Sequence, residues 1–159
     1  MSNKYAKELT SNDVGKTGGH QGGICVPKKM KGLLSFLPAL SSNDYNPREI
    51  IHCVDTNGKI WDMQYIHYNN KIVKHPETGK YGTRNEYRIT HMTKLFKEYN
   101  AEEGDTVEFE EIIPNKKYRI NFIRKATPSL GSVIGSAYTD DDDEVIPVIT
   151  LKGWRRYSI

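Results

Sequence analysis

IIHCVDTNGKIWDMQYIHY, residues 50–68, is the most informative segment for the fold, because it sets two runs rich in β-branched and aromatic residues around an Asn-Gly pair. Asn57-Gly58 between two such runs is the strongest short-range signal for a β-hairpin. We therefore predict strands at residues 50–55 and 59–68. The chain on both sides of this hairpin carries further segments of the same texture.

Four more strands are predicted after the hairpin. RNEYRIT at residues 84–90 is the first, and residues 106–111 follow with strict alternation of side-chain type. After a turn at Pro114-Asn115, KYRINFIRK at residues 117–125 places its apolar residues on one face. VIPVITL at residues 145–151 can add one more strand.

Two short amphipathic helices are predicted, at residues 28–37 and 91–100, because apolar residues recur in each at i, i+3, i+4 and i+7. Pro27 suits the first turn of the first helix, and Pro38 ends it. A short apolar strand at residues 24–26 precedes that helix. The recurring apolar positions are Met30, Leu33, Leu34 and Leu37 in the first helix and Met92, Leu95, Phe96 and Tyr99 in the second.

The size and composition of the chain fit one folded domain over residues 1–159. Hydrophobic residues make up 36% of the chain and aromatic residues 10%, which excludes wholesale disorder. The elements add up to a mostly β, α+β domain of barrel type rather than alternating βαβ units. No run approaches 18 apolar residues and residues 1–10 are polar, so we expect neither a membrane span nor a secretory signal.

The sequence lacks the clusters that metal and cofactor sites need. Cys25 and Cys53 lie far apart without a Cys-x-x-Cys pair, so they are interpreted as buried thiols. The histidines are scattered, with no two at helical i, i+4 spacing, which disfavours a zinc hydrolase. We predict no metal, no cofactor and no catalytic residue. The five histidines are His20, His52, His67, His75 and His91.

Two motifs invite an enzymatic interpretation. Gly15-Lys16-Thr17 ends like a phosphate-binding loop, but no apolar strand precedes it and the following glycines would disrupt the required helix. His67, Asn70 and His75 have the residue types of a His-Asn-His nuclease core. The sequence does not show the strand, loop and helix arrangement that such a core requires.

Positive charge is concentrated in the first part of the chain, although the whole carries only +3. Residues 1–100 contain 15 basic and 9 acidic side chains, a net of +6, whereas residues 101–159 contain 8 and 11, a net of −3. Attraction to phosphates is the sequence-independent part of nucleic-acid affinity. We therefore expect a polyanion to contact the first 100 residues.

A glycine-rich loop, TSNDVGKTGGHQGG, occupies residues 10–23 without an apolar period. Its glycines permit a positive φ and a close approach of the backbone to a surface. Lys16, Thr17, His20 and Gln21 would then project towards an anionic ligand. A mobile loop with no partner is the alternative interpretation.

Residues 83–90 contain an Arg-Glu-Arg row. In an extended chain Arg84, Glu86 and Arg88 project to one side and Asn85 and Tyr87 to the other. Arginine pairs with guanine O6 and N7, and glutamate accepts from cytosine N4, in the DNA major groove. A surface salt-bridge network has the same appearance and remains the alternative.

LTSNDVGKTGGHQGGICVP at residues 9–27, together with YGTRNEYRIT at residues 81–90, resembles the N-terminal effector domain of EcoRII-type restriction endonucleases. Residues 95–109 also resemble the wider fold shared with plant B-three-type domains. The resemblance implies a mostly β, seven-stranded-like DNA-binding pseudobarrel with two short helices. Two arms, at residues 11–21 and 80–88, would grip duplex DNA from the major-groove side.

The resemblance implies a CCWGG-like target, W being A or T, read by side chains of both arms. Gly82 and Tyr87 stand where the family pattern has lysine, so at least two phosphate contacts of the family pattern are not expected from these positions, and Lys80 is the candidate to replace one. The DNA-binding residues expected on the arms are Ser11, Asn12, Asp13, Lys16, Thr17, His20, Gln21, Lys80, Tyr81, Arg84, Asn85, Glu86, Tyr87 and Arg88.

The function implied is sequence-specific binding of double-stranded DNA by a non-catalytic recognition domain of a type II restriction endonuclease. We therefore expect a linked catalytic nuclease domain as a partner, no membrane, and a cytoplasmic location in a prokaryote. The residues themselves leave two alternatives open, a stand-alone metal-dependent nuclease and a protein-interaction module.

Overall fold

The computed structural model describes residues 3–15, 23–125, 150–151 and 153–158. Nine strands and two helices lie within these residues. In chain order they are β1 (Asn3–Glu8), β2 (Ile24–Val26), α1 (Lys31–Phe36), β3 (Arg48–Val54), β4 (Ile60–Tyr68), β5 (Glu86–Thr90), α2 (Thr93–Glu98), β6 (Thr106–Ile113), β7 (Lys117–Ile123), β8 (Thr150–Leu151) and β9 (Trp154–Ser158).

All nine strands join one sheet in the order β2-β5-β4-β3-β7-β6-β1-β9-β8. Every neighbouring pair is antiparallel except β3 and β7. Trp154 Nε1 in β9 donates to the Cys25 carbonyl in β2 at 2.7 Å, although six strands separate the two in the sheet. The sheet therefore curls on itself into an incomplete barrel, which confirms the predicted mostly β, barrel-like fold. Within the described residues it has nine strands rather than about seven.

The core fills the inside of the curled sheet. Alternation puts Val107 and Phe109 of β6 inside, and the predicted inward face of β7 is confirmed because Tyr118 and Ile120 are buried. Helix α1 covers one end of the barrel, where Tyr118 Oη donates to the Phe36 carbonyl. Helix α2 buries its apolar side in the same core cluster.

The predicted hairpin is confirmed as β3 and β4, paired from Arg48 with Ile66 to Val54 with Ile60. Its loop is organised by Asp55, whose Oδ1 accepts from the backbone of Asn57 at 2.8 Å and of Lys59 at 2.9 Å. Gly58 adopts φ +82°, a conformation that favours glycine. Asp55 Oδ2 accepts from Trp61 Nε1 at 2.9 Å and Tyr99 Oη at 2.8 Å, which ties the loop to α2.

Acid should weaken the fold through Asp55. Burial alone would raise its pKa, but the hydrogen bonds from Trp61, Tyr99 and two backbone amides outweigh burial and hold the pKa below the ordinary value of 3.8. The stabilisation is therefore complete above that value and is lost as the pH falls through the lower, folded-state pKa.

We expect Asp55→Asn to destabilise the protein at neutral pH and the gap from the wild type to close as the pH falls. Urea unfolding at a series of pH values measures this gap, with the exposed Glu103→Gln as the control. A gap that stays constant with pH would contradict the prediction.

Both helices are shorter than predicted. α1 begins at Lys31 rather than residue 28, so Pro27 lies before the helix and not in its first turn. Leu37 is extended, with φ −91° and ψ 165°, because the residue before a proline is pushed out of the helical region. α2 covers Thr93–Glu98 rather than residues 91–100, since His91 has φ +65°.

The C-terminal part holds a strand, β9, that was not predicted. Of the predicted strand at residues 145–151, only Thr150–Leu151 is described, as β8. Both cysteines are free, but only Cys53 is fully buried, and burial raises its pKa to about 12. Cys25 is half-buried, so the prediction of two buried thiols is correct for Cys53 alone. Among the described helices none is long and apolar enough to cross a membrane.

Candidate nucleic-acid interface

The pairing of β2 with β5 places the bases of the two predicted arms at opposite ends of β5. The strands are antiparallel, with Ile24 level with Ile89 and Val26 level with Tyr87. The chain from the glycine-rich loop therefore enters β2 beside the C-terminal end of β5, whereas the second predicted arm leads into the N-terminal end. At about 3.3 Å per residue, the five residues of β5 separate these ends by about 13 Å.

The first arm is fixed at its base by a buried ion pair. Lys7 Nζ lies 2.8 Å from Asp13 Oδ2, and the two side chains are only 3% and 8% exposed. Asp13 Oδ2 also accepts from the Thr10 backbone at 3.0 Å, and Thr10 Oγ1 accepts from the Asp13 backbone at 3.2 Å. A direct DNA contact from Asp13 does not fit this burial; the side chain holds the start of the arm against β1.

The other predicted residues of the first arm are only partly described. Ser11 is half-buried and Asn12 is exposed. Lys16, Thr17, His20 and Gln21 lie outside the described residues.

The second arm, at residues 70–84, is longer than predicted. It consists of two segments joined by backbone hydrogen bonds. The Lys71 amide donates to the Arg84 carbonyl at 2.9 Å, and the His75 amide donates to the Lys80 carbonyl at 2.9 Å. Residues 69–85 form neither helix nor strand. Glu86, Tyr87 and Arg88 belong to β5 and not to the arm.

Asparagines fix the base of the second arm. Asn46 and Asn69 each donate a backbone amide to the other's side-chain oxygen, at 2.7 and 3.0 Å. Asn69 is fully buried, and its Nδ2 donates to the Asp44 carbonyl at 2.8 Å. Sequence reasoning missed this pair, because neither residue stands in a recognisable motif.

The next residue, Asn70, accepts from the Arg84 backbone at 2.8 Å through Oδ1. A Cβ on Gly82 would clash with that oxygen. A lysine at position 82, as in the family pattern, would displace Asn70 and release the backbone of Arg84.

Arg84, Glu86 and Arg88 project to the same side, as predicted. Glu86 Oε2 lies 3.3 Å from Arg84 Nη2 and 3.2 Å from Arg88 Nη1. The Arg84 guanidinium stacks on Tyr68 at 3.7 Å from the ring centroid. Partial burial opposes ionisation of Glu86, but hydrogen bonds from both arginines and their charges outweigh it, so its pKa lies below the ordinary value. Glu86 is therefore ionised at neutral pH. Tyr68, a residue that sequence reasoning missed, holds the Arg84 guanidinium in place.

Asn85 and Tyr87 face the other side, which confirms the predicted alternation. Asn85 Oδ1 lies 2.8 Å from His67 Nε2, and the Tyr87 ring stacks on His67 with centroids 4.0 Å apart. Both side chains are engaged towards the barrel interior, so direct DNA contacts from them do not fit this conformation. Lys80 and Tyr81 are exposed on the second arm, where they were expected.

The residues of the proposed His-Asn-His core have separate contacts. His67 contacts Asn85, Asn70 contacts the Arg84 backbone, and His75 Nδ1 accepts from the backbone of Glu77 at 3.1 Å. In the part of the chain that the structure describes, no group of three or more His, Cys, Asp or Glu side chains is arranged to hold a metal ion.

Residues 2–112 match the family described as "Restriction endonuclease EcoRII, N-terminal". No curated protein matches the chain. In three dimensions the chain is similar to the protein of the Arabidopsis FUS3-DNA complex, with a TM-score of 0.54, 19% sequence identity, and coverage of 76% of this chain and 96% of that chain. It is also similar to the Arabidopsis thaliana transcription factor LEC2 in its DNA complex, with a TM-score of 0.48, 21% identity, and coverage of 77% and 92%. The likeness to FUS3 shows a shared pseudobarrel fold.

Proposed function

Since the chain belongs to the family of N-terminal domains of the restriction endonuclease EcoRII, we propose that it binds double-stranded DNA sequence-specifically and reads a CCWGG-like site with its two arms. The Arg84-Glu86-Arg88 row carries the proposal, because it lies at the N-terminal end and along the outer side of the one strand that runs between both arm bases. The FUS3 protein, which shares the fold, was solved in a complex with DNA.

The dimensions of β5 fit the major groove. The groove of B-form DNA is about 12 Å wide, close to the length of about 13 Å for β5. A duplex lying against the outer side of β5 would therefore meet one arm at each edge of the groove. The arms would contact the flanking phosphates and fix the register, while the row between them faces the base edges.

The side chains of the row match the chemistry of G·C pairs. A guanidinium donates two parallel hydrogen bonds to guanine O6 and N7, and a carboxylate accepts from cytosine N4. Each half of CCWGG contains two adjacent G·C pairs. In the free protein Arg84 and Arg88 each donate a hydrogen bond to Glu86. The two guanidinium groups and the carboxylate have therefore already lost part of their water and are oriented before the DNA binds, which lowers the cost of binding.

Lysines of the second arm supply charge for phosphate binding. Lys71, Lys74 and Lys80 are exposed, and none forms an ion pair with an acidic side chain among the described residues. Lys80 would replace the phosphate contact that the family pattern assigns to position 82. Neutralising phosphates adds affinity for every DNA sequence and makes it salt-dependent.

The domain would act by binding alone, beside a separate catalytic nuclease domain. Occupancy of the site would then control cleavage by that linked domain.

Binding titrations of the purified chain test the proposal. Fluorescence anisotropy with a CCWGG duplex, a scrambled duplex of the same composition, and a CCSGG duplex, S being G or C, measures both affinity and specificity. We expect the CCWGG duplex to bind most tightly and no duplex to be cut when magnesium is added. Equal affinity for all three duplexes would overturn specific recognition, and magnesium-dependent cutting would overturn the non-catalytic role.

Arg84→Ala should weaken binding to the cognate duplex by about 1 to 3 kcal/mol, or about 5- to 150-fold, because the paired hydrogen bonds from the guanidinium to guanine are removed. Binding to the scrambled duplex should change much less, so specificity falls. The control is Arg119→Ala, which removes an exposed arginine ion-paired to Glu110 on the β6-β7 face. An equal loss of affinity on both duplexes would identify Arg84 as a phosphate-binding residue instead.

A further inference from the structure

A third basic segment lies beside the Arg84-Glu86-Arg88 row, outside both arms. It consists of Lys28 and Lys29 in the turn after β2 and of Lys31, the first residue of α1. We call these three residues the lysine turn. All three side chains are exposed, and none is ion-paired to an acidic side chain in the described ranges.

The sheet register fixes where the lysine turn lies. β2 and β5 are antiparallel and Val26 is level with Tyr87, so the chain leaves β2 where β5 begins. Pro27 follows directly after this last paired residue, and Lys28 and Lys29 come next. The lysine turn therefore occupies the same end of the barrel as the second arm, one strand away from Arg84.

The backbone of the lysine turn is held by its neighbours. The Met30 amide donates to the Pro27 carbonyl at 3.2 Å, and the Lys31 amide donates to the Lys29 carbonyl at 3.1 Å. Met30 and Leu33 are buried in the core and anchor the segment on both sides of Lys31. The three positive charges are therefore presented at a fixed place on the surface.

We propose that Lys28, Lys29 and Lys31 bind backbone phosphates of the DNA that flanks the recognised base pairs, so that the bound DNA extends beyond the site itself. Like charges within four residues repel one another, and the carboxylates that would neutralise them are missing from the described surroundings. A duplex lying on β5 carries its phosphates past the end of that strand. This inference rests on the proposed function.

An acidic protein segment is the competing occupant, and it makes a different prediction. Phosphate binding by lysines contributes to affinity for every DNA sequence and lowers it steeply with salt. A protein-binding lysine turn would contribute nothing to DNA affinity beyond its general charge.

The test compares two variants that each lose two positive charges. Lys28→Gln with Lys29→Gln removes charge from the lysine turn, whereas Lys4→Gln with Arg119→Gln removes it from β1 and β7, neither of which neighbours β2 or β5 in the sheet. For the first variant we expect the slope of log K against log salt to fall by about 0.9 for each phosphate that is no longer neutralised. Its preference for CCWGG over scrambled DNA should be unchanged. The second variant should keep the wild-type slope.

The length of the duplex gives an independent measurement. Lengthening the flanks on either side of the site should strengthen binding of the wild type more than that of the Lys28→Gln, Lys29→Gln variant. Lys31→Gln alone should give a smaller effect in the same direction. Thermal unfolding of each variant verifies that the fold is intact.

The outcomes separate the two proposals. If the wild type shows no preference for CCWGG, the proposed function fails. If the wild type selects the site but both double variants share its salt slope and flank dependence, specific binding stands and the role of the lysine turn is wrong. An equal fall in slope for both double variants would likewise overturn that role, because net charge alone would explain it.

Discussion

Asp13→Ala lowers the free energy of unfolding by about 3 to 5 kcal/mol, the cost expected when one partner of a buried ion pair is removed. Lys7 would remain nearly inaccessible to water, with the Glu8 carbonyl at 2.9 Å as its one other hydrogen-bond partner in the described residues. The Thr10 amide would lose its acceptor as well. Chemical unfolding at neutral pH measures this loss directly.

The expected loss depends on burial, which a matched variant tests. Glu108→Ala removes the acid of a more exposed ion pair, Lys4 with Glu108 at 3.8 Å, and should cost less than about 1 kcal/mol. Lys7→Met combined with Asp13→Asn should recover much of the Asp13→Ala loss, because no unpaired charge is left buried and an oxygen still faces the Thr10 amide. If Asp13→Ala and Glu108→Ala cost the same, the pair does not anchor the first arm.

Trp154→Ala is the second large effect, with an expected loss of about 3 to 5 kcal/mol in the free energy of unfolding. The indole is completely buried, stacks on Phe109 at 6.1 Å between centroids, and bonds to the Cys25 carbonyl across the opening of the barrel. Its removal leaves a cavity and frees β2, whose remaining strand partner is β5 alone.

Two comparisons separate packing from closure of the barrel. Trp154→Phe keeps an aromatic ring and loses the hydrogen bond, so it should cost less than the alanine variant. Amide hydrogen exchange should then rise in β2 more than in β6, since β6 keeps both of its neighbouring strands. Uniform exchange across the sheet in Trp154→Ala would contradict a specific role in closing the barrel.

Local sequence was sufficient to predict the central elements. The Asn57-Gly58 pair between β-rich runs predicted β3 and β4, and alternation predicted the buried face of β7. It also predicted that Arg84, Glu86 and Arg88 project to one side of the chain. These predictions succeed because a strand has a period of two and a tight turn has few solutions.

Other features depended on residues distant in the chain. β9 was missed because residues 154–158 show no clear pattern alone. The strand is held by its pairing with β1 and by the hydrogen bond from Trp154 to the Cys25 carbonyl. Asp13 was predicted to contact DNA from the surface, because its sequence neighbours do not reveal that it is buried in an ion pair with Lys7 of β1. Both helices are shorter than predicted because the backbone leaves the helical region at His91, just before α2, and at Leu37, just after α1.

Composition and side-chain period are local properties of a chain. They were therefore sufficient to predict a β-rich domain with its basic excess in the first 100 residues and an arginine-glutamate row on one side of an extended segment. The folded arrangement was needed to show that the bases of the two predicted arms lie at opposite ends of β5, that Asn85 and Tyr87 turn inward, and that the lysine turn follows β2 at the end where β5 begins. Each of these follows from the antiparallel register of β2 with β5 and β4 with β5. Such pairing joins strands that are more than 60 residues apart in the chain, as with Cys25 and Arg88. No local sequence pattern encodes the register of strands so far apart.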